Sequence, residues 1–205
     1  ETLHNLRDSM KRVELLEQLK DELSKFVPES VRRMLEQNPD ATELEKREKD
    51  VSVLFIDIAG YTRLSEQMDP RQLNRLDQRY FSSFLEIIHD HHGDVNETAG
   101  DGLMVIFQDD RSAAEHALNA TRSAFAVQHR VKELNEEFAG VFQPVFLHMG
   151  INSGSAFVGA TKLSSTAGAR WTFTASGPVT NLPARVAGQA AEDEILVTAS
   201  TAERI

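Results

Sequence analysis

The spacing of apolar residues changes once along this chain and divides it in two. In the first part Leu3, Leu6, Met10 and Val13 step by three and four, and Leu16, Leu19, Leu23 and Phe26 continue the stripe. Without proline or glycine, residues 1 to about 26 are predicted to form one amphipathic helix. Its seam is narrow, so the helix needs a partner. The expectation is a parallel coiled coil with a second copy of itself, with a stammer where Val13, Leu16 and Leu19 run three and three. Pro28 closes the helix, Glu29 to Gln37 form a short second one, and Asn38 to Asp50 read as a polar linker.

From Val51 onward strand and helix patterns alternate. Val51 to Ile56 is an apolar strand of buried type. Pro70 to about His91 is a helix with Leu73, Leu76, Tyr80, Phe84, Ile87 and Ile88 on one face. Gly93 to Thr98 and Leu103 to Phe107 are strands joined by Ala99-Gly100-Asp101-Gly102. Ser112 to about Phe138 is a second long helix, entered through Asp109-Asp110-Arg111 with Ser112 or Asp110 as cap, and Ala117, Leu118, Phe125, Val131 and Leu134 should face inward. Val145 to Ile151 and Ala156 to Val158 complete the series as two strands. The order β-α-β-β-α-β predicts an α+β, ferredoxin-like fold. The expected organisation is a signalling helix over 1–27, a short helix and linker over 28–50, and a catalytic domain over 51–205.

That topology makes the first and third strands antiparallel neighbours. Asp57 ends the first and Asp101 opens the third, so two carboxylates meet at one rim of the sheet. Two such groups repel unless a cation lies between them or one takes a proton. Hard divalent ions with oxygen ligands, Mg²⁺ or Mn²⁺, suit the place and bridge readily to phosphates. The Ile58 carbonyl is a further candidate ligand. As single residues, either aspartate would be an ordinary turn residue.

Composition narrows the substrate. The 22 lysines and arginines against 32 aspartates and glutamates make the chain acidic, which speaks against nucleic acid held through its phosphates. An anionic substrate then requires cations or a few placed arginines. There are no cysteines, which removes disulfides and thiolate metal sites and agrees with the cytoplasm. No apolar run approaches the roughly 20 residues that cross a bilayer, and the mixed-charge start does not read as a secretory leader.

With these motifs in hand, the chain resembles the catalytic domain of class III nucleotidyl cyclases, the adenylate and guanylate cyclases. Phe55-Ile56-Asp57-Ile58-Ala59-Gly60-Tyr61-Thr62 and Gly100-Asp101-Gly102-Leu103-Met104-Val105-Ile106-Phe107 are similar to the two metal motifs. Gly150-Ile151-Asn152-Ser153-Gly154 resembles the strand and turn that follow, and Gly177 to Arg185 the segment with the transition-state asparagine and arginine. The resemblance implies a homodimer with its N-terminal helices paired, an upstream sensor, and two metal ions per active site. It implies a purine nucleoside triphosphate as substrate, cyclised with release of pyrophosphate. By matching position, Asn181 would orient the ribose and Arg185 would meet charge on the α-phosphate, while Arg170 would reach the β- or γ-phosphate. An exposed surface charge is the ordinary alternative for Arg185, and a stack on Trp171 or a surface role for Arg170.

Base choice in this family rests on two positions, here Glu97 and Thr174. Where adenylate cyclases usually carry lysine, Glu97 offers acceptors that match the N1–H and N2 amine of guanine. This leans towards GTP. Thr174 can donate or accept and leaves the choice open. A solvent-facing carboxylate on an edge strand is the other reading of Glu97. Three features depart from the family pattern: Pro183 between Asn181 and Arg185, which implies a helix starting near Leu182 or a displaced Arg185, a long Gly159 to Ala169 connection, and a phosphate-binding lysine expected on a C-terminal hairpin outside residues 1–205. They keep a second class in view, a catalytically weak nucleotide-binding or signal-relaying dimer. The group His89, His91 and His92 is read as a helix terminus and not as a metal site.

Overall fold

In the computed structural model, described over residues 2–24, 27–37, 45–99, 101–108, 112–165 and 168–205, the chain divides into two compact units, 1–44 and 45–205. The first holds α1 (Thr2–Ser24) and α2 (Glu29–Gln37). Leu6, Met10, Val13, Leu16, Leu19 and Leu23 of α1 are all about half exposed or more, whereas Val31 of α2 is buried. Lys20 and Glu36 pair across the two helices at 3.3 Å. Phe26, the last position of the expected seam, lies outside the described residues.

The second unit runs β1 (Arg47–Ile58), α3 (Tyr61–Gln67), α4 (Pro70–Asp90), β2 (Gly93–Ala99), β3 (Gly102–Phe107), α5 (Ala113–Glu137), β4 (Leu147–Ser165), β5 (Gly168–Ser176), α6 (Pro178–Ala187), β6 (Glu194–Val197) and α7 (Ala199–Ala202). The sheet order is β2-β3-β1-β4-β5, with β6 parallel to β4. Its first four strands have the ferredoxin-like arrangement. Central strand β1 is covered on both faces, which is why it reads as an unbroken apolar run. Leu54, Ile56 and Ile58 pack with α4 and α5 residues such as Tyr80, Phe84, Val127 and Val131. Val51 and Val53 face the other way, against Ile106, Ala156, Val158 and Val179 of α6.

Several expectations change. β1 starts at Arg47, inside the segment read as a linker, because residues 47–51 pair with Val158 to Gly154. Val145–Ile151 and Ala156–Val158 are not two strands: β4 is one strand of 19 residues. The Asn152-Ser153-Gly154-Ser155 stretch looks like a turn by composition, but Ser52 lies opposite Ser153 and the two hydroxyls bond at 2.6 Å. The long Gly159–Ala169 connection is a β-hairpin arm, with Gly159 to Ser165 paired to Thr174 to Gly168. Phe125 is 59% exposed. It lies one residue off the stripe of Ala117, Ala120, Ala124, Val127, Val131 and Leu134, and Ala124 takes the core position instead. At the α5 start Ser112 is the cap, accepting from the Glu115 amide; Asp109, Asp110 and Arg111 lie outside the described residues.

Gly150 decides how α6 sits. A Cβ there would collide with the Pro183 carbonyl oxygen and stand 2.7 Å from the Ala187 nitrogen, so the helix lies with its backbone on β4. Gly150→Ala is expected to cost about 1–3 kcal/mol through overpacking, read as a lower denaturant midpoint with an unchanged slope.

Candidate active site

β1 and β3 run antiparallel with Asp57 opposite Gly102, and this register carries the aspartate meeting. Along β1 side chains alternate, so Asp57 continues the row of Val51, Val53 and Phe55 on the face away from α4 and α5. Asp101 occupies the turn directly before β3. The register brings the two carboxyl groups near each other, and Asp57 is pushed up to about 6. Burial is the largest cause and the Asp101 charge the next, with His148 acting in the opposite direction. Gly100 lies outside the described residues.

This donor set suits a hard divalent cation. Carboxylates forced together raise each other's cost of ionisation, and a cation relieves it. Among the described residues no group of three His, Cys, Asp or Glu could hold a metal. The other ligands would then be oxygens of another kind, such as the Ile58 carbonyl, water and substrate phosphate, as Mg²⁺ prefers. The Ile58 side chain is core, which leaves only its backbone for this role.

The loop after β1 is fixed. Gly60 takes φ 68°, the left-handed region natural to glycine, and α3 begins at Tyr61. The Tyr61 hydroxyl donates to Asp77 of α4 at 2.7 Å. Burial and then this bond push Tyr61 up to about 12, with Asp101 contributing.

At the ends of the sheet a second cluster forms. β2 and β5 are the terminal strands, yet Asn96 Nδ2 donates to Thr174 Oγ1 at 3.0 Å. The sheet therefore curls until its edges meet. A bulge between Val95 and Glu97 leaves Asn96 as the extra residue, a common way to re-aim a side chain. Thr174 also donates to the Ala175 carbonyl at 3.1 Å. Its proton and one lone pair are thus engaged, and one lone pair is left. Glu97 lies in β2 opposite Met104, and Arg170 in β5 opposite Leu163.

Asn181 and Arg185 are exposed on α6, one turn apart. Among the described residues neither makes a hydrogen bond or ion pair, and neither is joined to Asp57 or Asp101. One chain thus brings together the aspartate pair, and brings the strand of Glu97 to Thr174, but does not assemble all the candidate groups. Pro183 stands inside α6, which begins at Pro178 and continues to Ala187. The helix therefore neither starts at Leu182 nor breaks before Arg185. Sequence reasoning missed Asn96, Tyr61, Asp77 and His148. Only His148 had a legible signal, since the strand order itself puts β4 beside the end of β1.

A sequence model described as the adenylate and guanylate cyclase catalytic domain matches residues 44–205. Adenylate cyclase 1 of Rhizobium meliloti is 30% identical over 141 residues, 68% of this chain and 21% of that protein. An adenylate cyclase of Mycobacterium tuberculosis is 24% identical over 204 residues, 98% of this chain and 44% of that protein. This chain thus spans less than half the length of these relatives. Among solved structures, the adenylyl cyclase CyaB of P. aeruginosa superposes with TM-score 0.72 at 28% identity, covering 79% of this chain and 83% of that one. The guanylyl cyclase Cya2 gives 0.70 at 25%, covering 78% and 80%. On these grounds, and on the two aspartates meeting at the rim of a ferredoxin-like sheet, the chain belongs to the adenylate and guanylate cyclase catalytic-domain family.

Proposed function

We propose that this chain converts a purine nucleoside triphosphate into a 3′,5′-cyclic nucleotide and pyrophosphate, working as a homodimer. The observation that carries the reading is the β1–β3 register, which sets Asp57 opposite Gly102 and so beside Asp101 in the preceding turn, two carboxylates whose repulsion a cation would relieve. Asp57, Asp101 and the Ile58 carbonyl would hold two Mg²⁺ or Mn²⁺ ions. When bound, these make the ribose 3′-hydroxyl a better nucleophile and neutralise charge on the triphosphate.

The remaining work falls to the chain's own groups. Asn181 orients the ribose. Arg185, a forked donor one turn away, meets charge gathering on the α-phosphate oxygens. Arg170 holds the outer phosphates, and Glu97 with Thr174 reads the base edge. Exposed and unengaged in one chain, Asn181 and Arg185 are available to the aspartate pair of a second copy, and the half-exposed apolar row of α1 supports pairing of the N-terminal helices. An upstream sensor would act through those helices. No helix among the described residues is long and apolar enough to cross a membrane.

The test is pyrophosphate release from GTP and ATP, each with Mg²⁺ and Mn²⁺. Metal-dependent release of pyrophosphate together with a cyclic nucleotide is expected. Nucleotide binding without release would instead support the signal-relaying dimer.

A further inference from the structure

Proline inside a helix removes the amide that would bond the carbonyl four residues back. In α6 that carbonyl is Val179's, and its residue is only 5% exposed. Asn152 of β4, equally buried, supplies the missing donor: its Nδ2 reaches the Val179 oxygen at 3.2 Å. The orientation of the amide is fixed by chemistry. A carbonyl oxygen cannot donate, so the NH₂ end must face Val179. The Oδ1 end accepts from Thr198 Oγ1 at 2.8 Å and from Ser200 Oγ at 3.0 Å, both at the start of α7.

Gly150 and Asn152 are two apart on β4 and so share one face. They meet consecutive turns of α6: Gly150 takes the Pro183 carbonyl against its bare Cα, and Asn152 takes the Val179 carbonyl. Asn152 is tied further into the body of the domain. Thr198 contacts Thr201 at 3.3 Å, Thr201 bonds Ser153 at 2.9 Å, Ser153 bonds Ser52, and Ser52 bonds His116 Nδ1 at 2.8 Å.

We infer that Asn152 is a positioning residue for catalysis: by replacing the hydrogen bond that Pro183 deletes, it fixes the seat of α6 and so the placement of Asn181 and Arg185. The inference rests on the roles given to those two residues above. It acts through the helix, with no contact to substrate.

A double-mutant cycle tests it, with Asn152→Ala, Pro183→Ala and the pair, in the full chain. Alanine at 183 restores an amide able to bond Val179 itself, so the donor from Asn152 becomes redundant. The lost Thr198 and Ser200 acceptor is common to both backgrounds and cancels. Asn152→Ala alone should lower the melting temperature by about 3–8 °C, through the lost bond to Val179 and the two lost bonds from Thr198 and Ser200. It should lower kcat about tenfold with KM within twofold, since the groups on α6 act in the transition state. In the Pro183→Ala background both losses should shrink by the share that the Val179 bond carries, leaving the part due to Thr198 and Ser200. Strictly additive melting shifts would overturn the pairing, and this arm decides even if the chain releases no pyrophosphate. Coupled melting shifts with kcat untouched in an enzyme that turns over would overturn the positioning role, while the proposed reaction stands.

Discussion

Asp57→Ala should lower metal-dependent pyrophosphate release by about 10³-fold or more, because the loss of cation-borne stabilisation removes several kcal/mol from the transition state. A residual rate within tenfold of the parent would sink the aspartate assignment. The isosteric Asp57→Asn adds a second arm with a readout independent of turnover. The folded-state pKa of Asp57 is about 6 against an ordinary 3.8, so the folded protein binds more protons than the unfolded one between those values. Stability therefore falls as pH rises from about 4 to 6, and the cost is fully present above 6. At pH 7.5 Asp57→Asn should melt higher than the parent while being inactive. Mn²⁺ should raise the melting temperature of the parent and not of the variant, with the effect fading below pH 6 as protons compete for the same oxygens.

The aspartate pair follows from connectivity alone: a β-α-β-β-α-β order makes β1 and β3 antiparallel neighbours, and one residue at each adjoining end does the rest. Asn96 could not be found this way. Its place depends on a single-residue bulge and on the curl that closes β2 on β5, and neither leaves a periodic trace. The serines at 153 and 155 depart from expectation for a related reason. Their composition is that of a turn, yet a cross-strand hydroxyl bond to Ser52 lets Ser153 stay buried in a continuous strand. Pro183 stands inside α6, so neither a helix starting at Leu182 nor a displaced Arg185 follows from it. What the sequence could not supply was the donor that replaces the amide Pro183 lacks, since Asn152 lies on another element and only the seat given by Gly150 brings it to Val179.

Glu97→Lys should move the ratio of kcat/KM for ATP over GTP by about 100-fold towards ATP. A carboxylate at position 97 can accept two charge-assisted bonds from the N1–H and N2 amine of guanine, each worth roughly tenfold in discrimination. Facing adenine it sets acceptor against the unprotonated N1. Lysine reverses that contact, since its ammonium donates to adenine N1 but faces the N1–H and N2 donors at the corresponding place on guanine. Thr174 already leans the same way. It accepts from Asn96 and donates to the Ala175 carbonyl, so its remaining lone pair fits the N6 amine of adenine. Binding guanine O6 would require the proton to turn away from Ala175. In the parent the two positions therefore pull in opposite directions, and a GTP preference of modest size is expected; in the variant they agree. Thr174→Val in the Glu97→Lys background should then lower kcat/KM for ATP by about tenfold and leave GTP nearly unchanged, the signature of one lost hydrogen bond to the base. An ATP-to-GTP ratio that does not move on Glu97→Lys would remove residue 97 from base recognition and leave the choice of nucleotide to Thr174 and its partner Asn96.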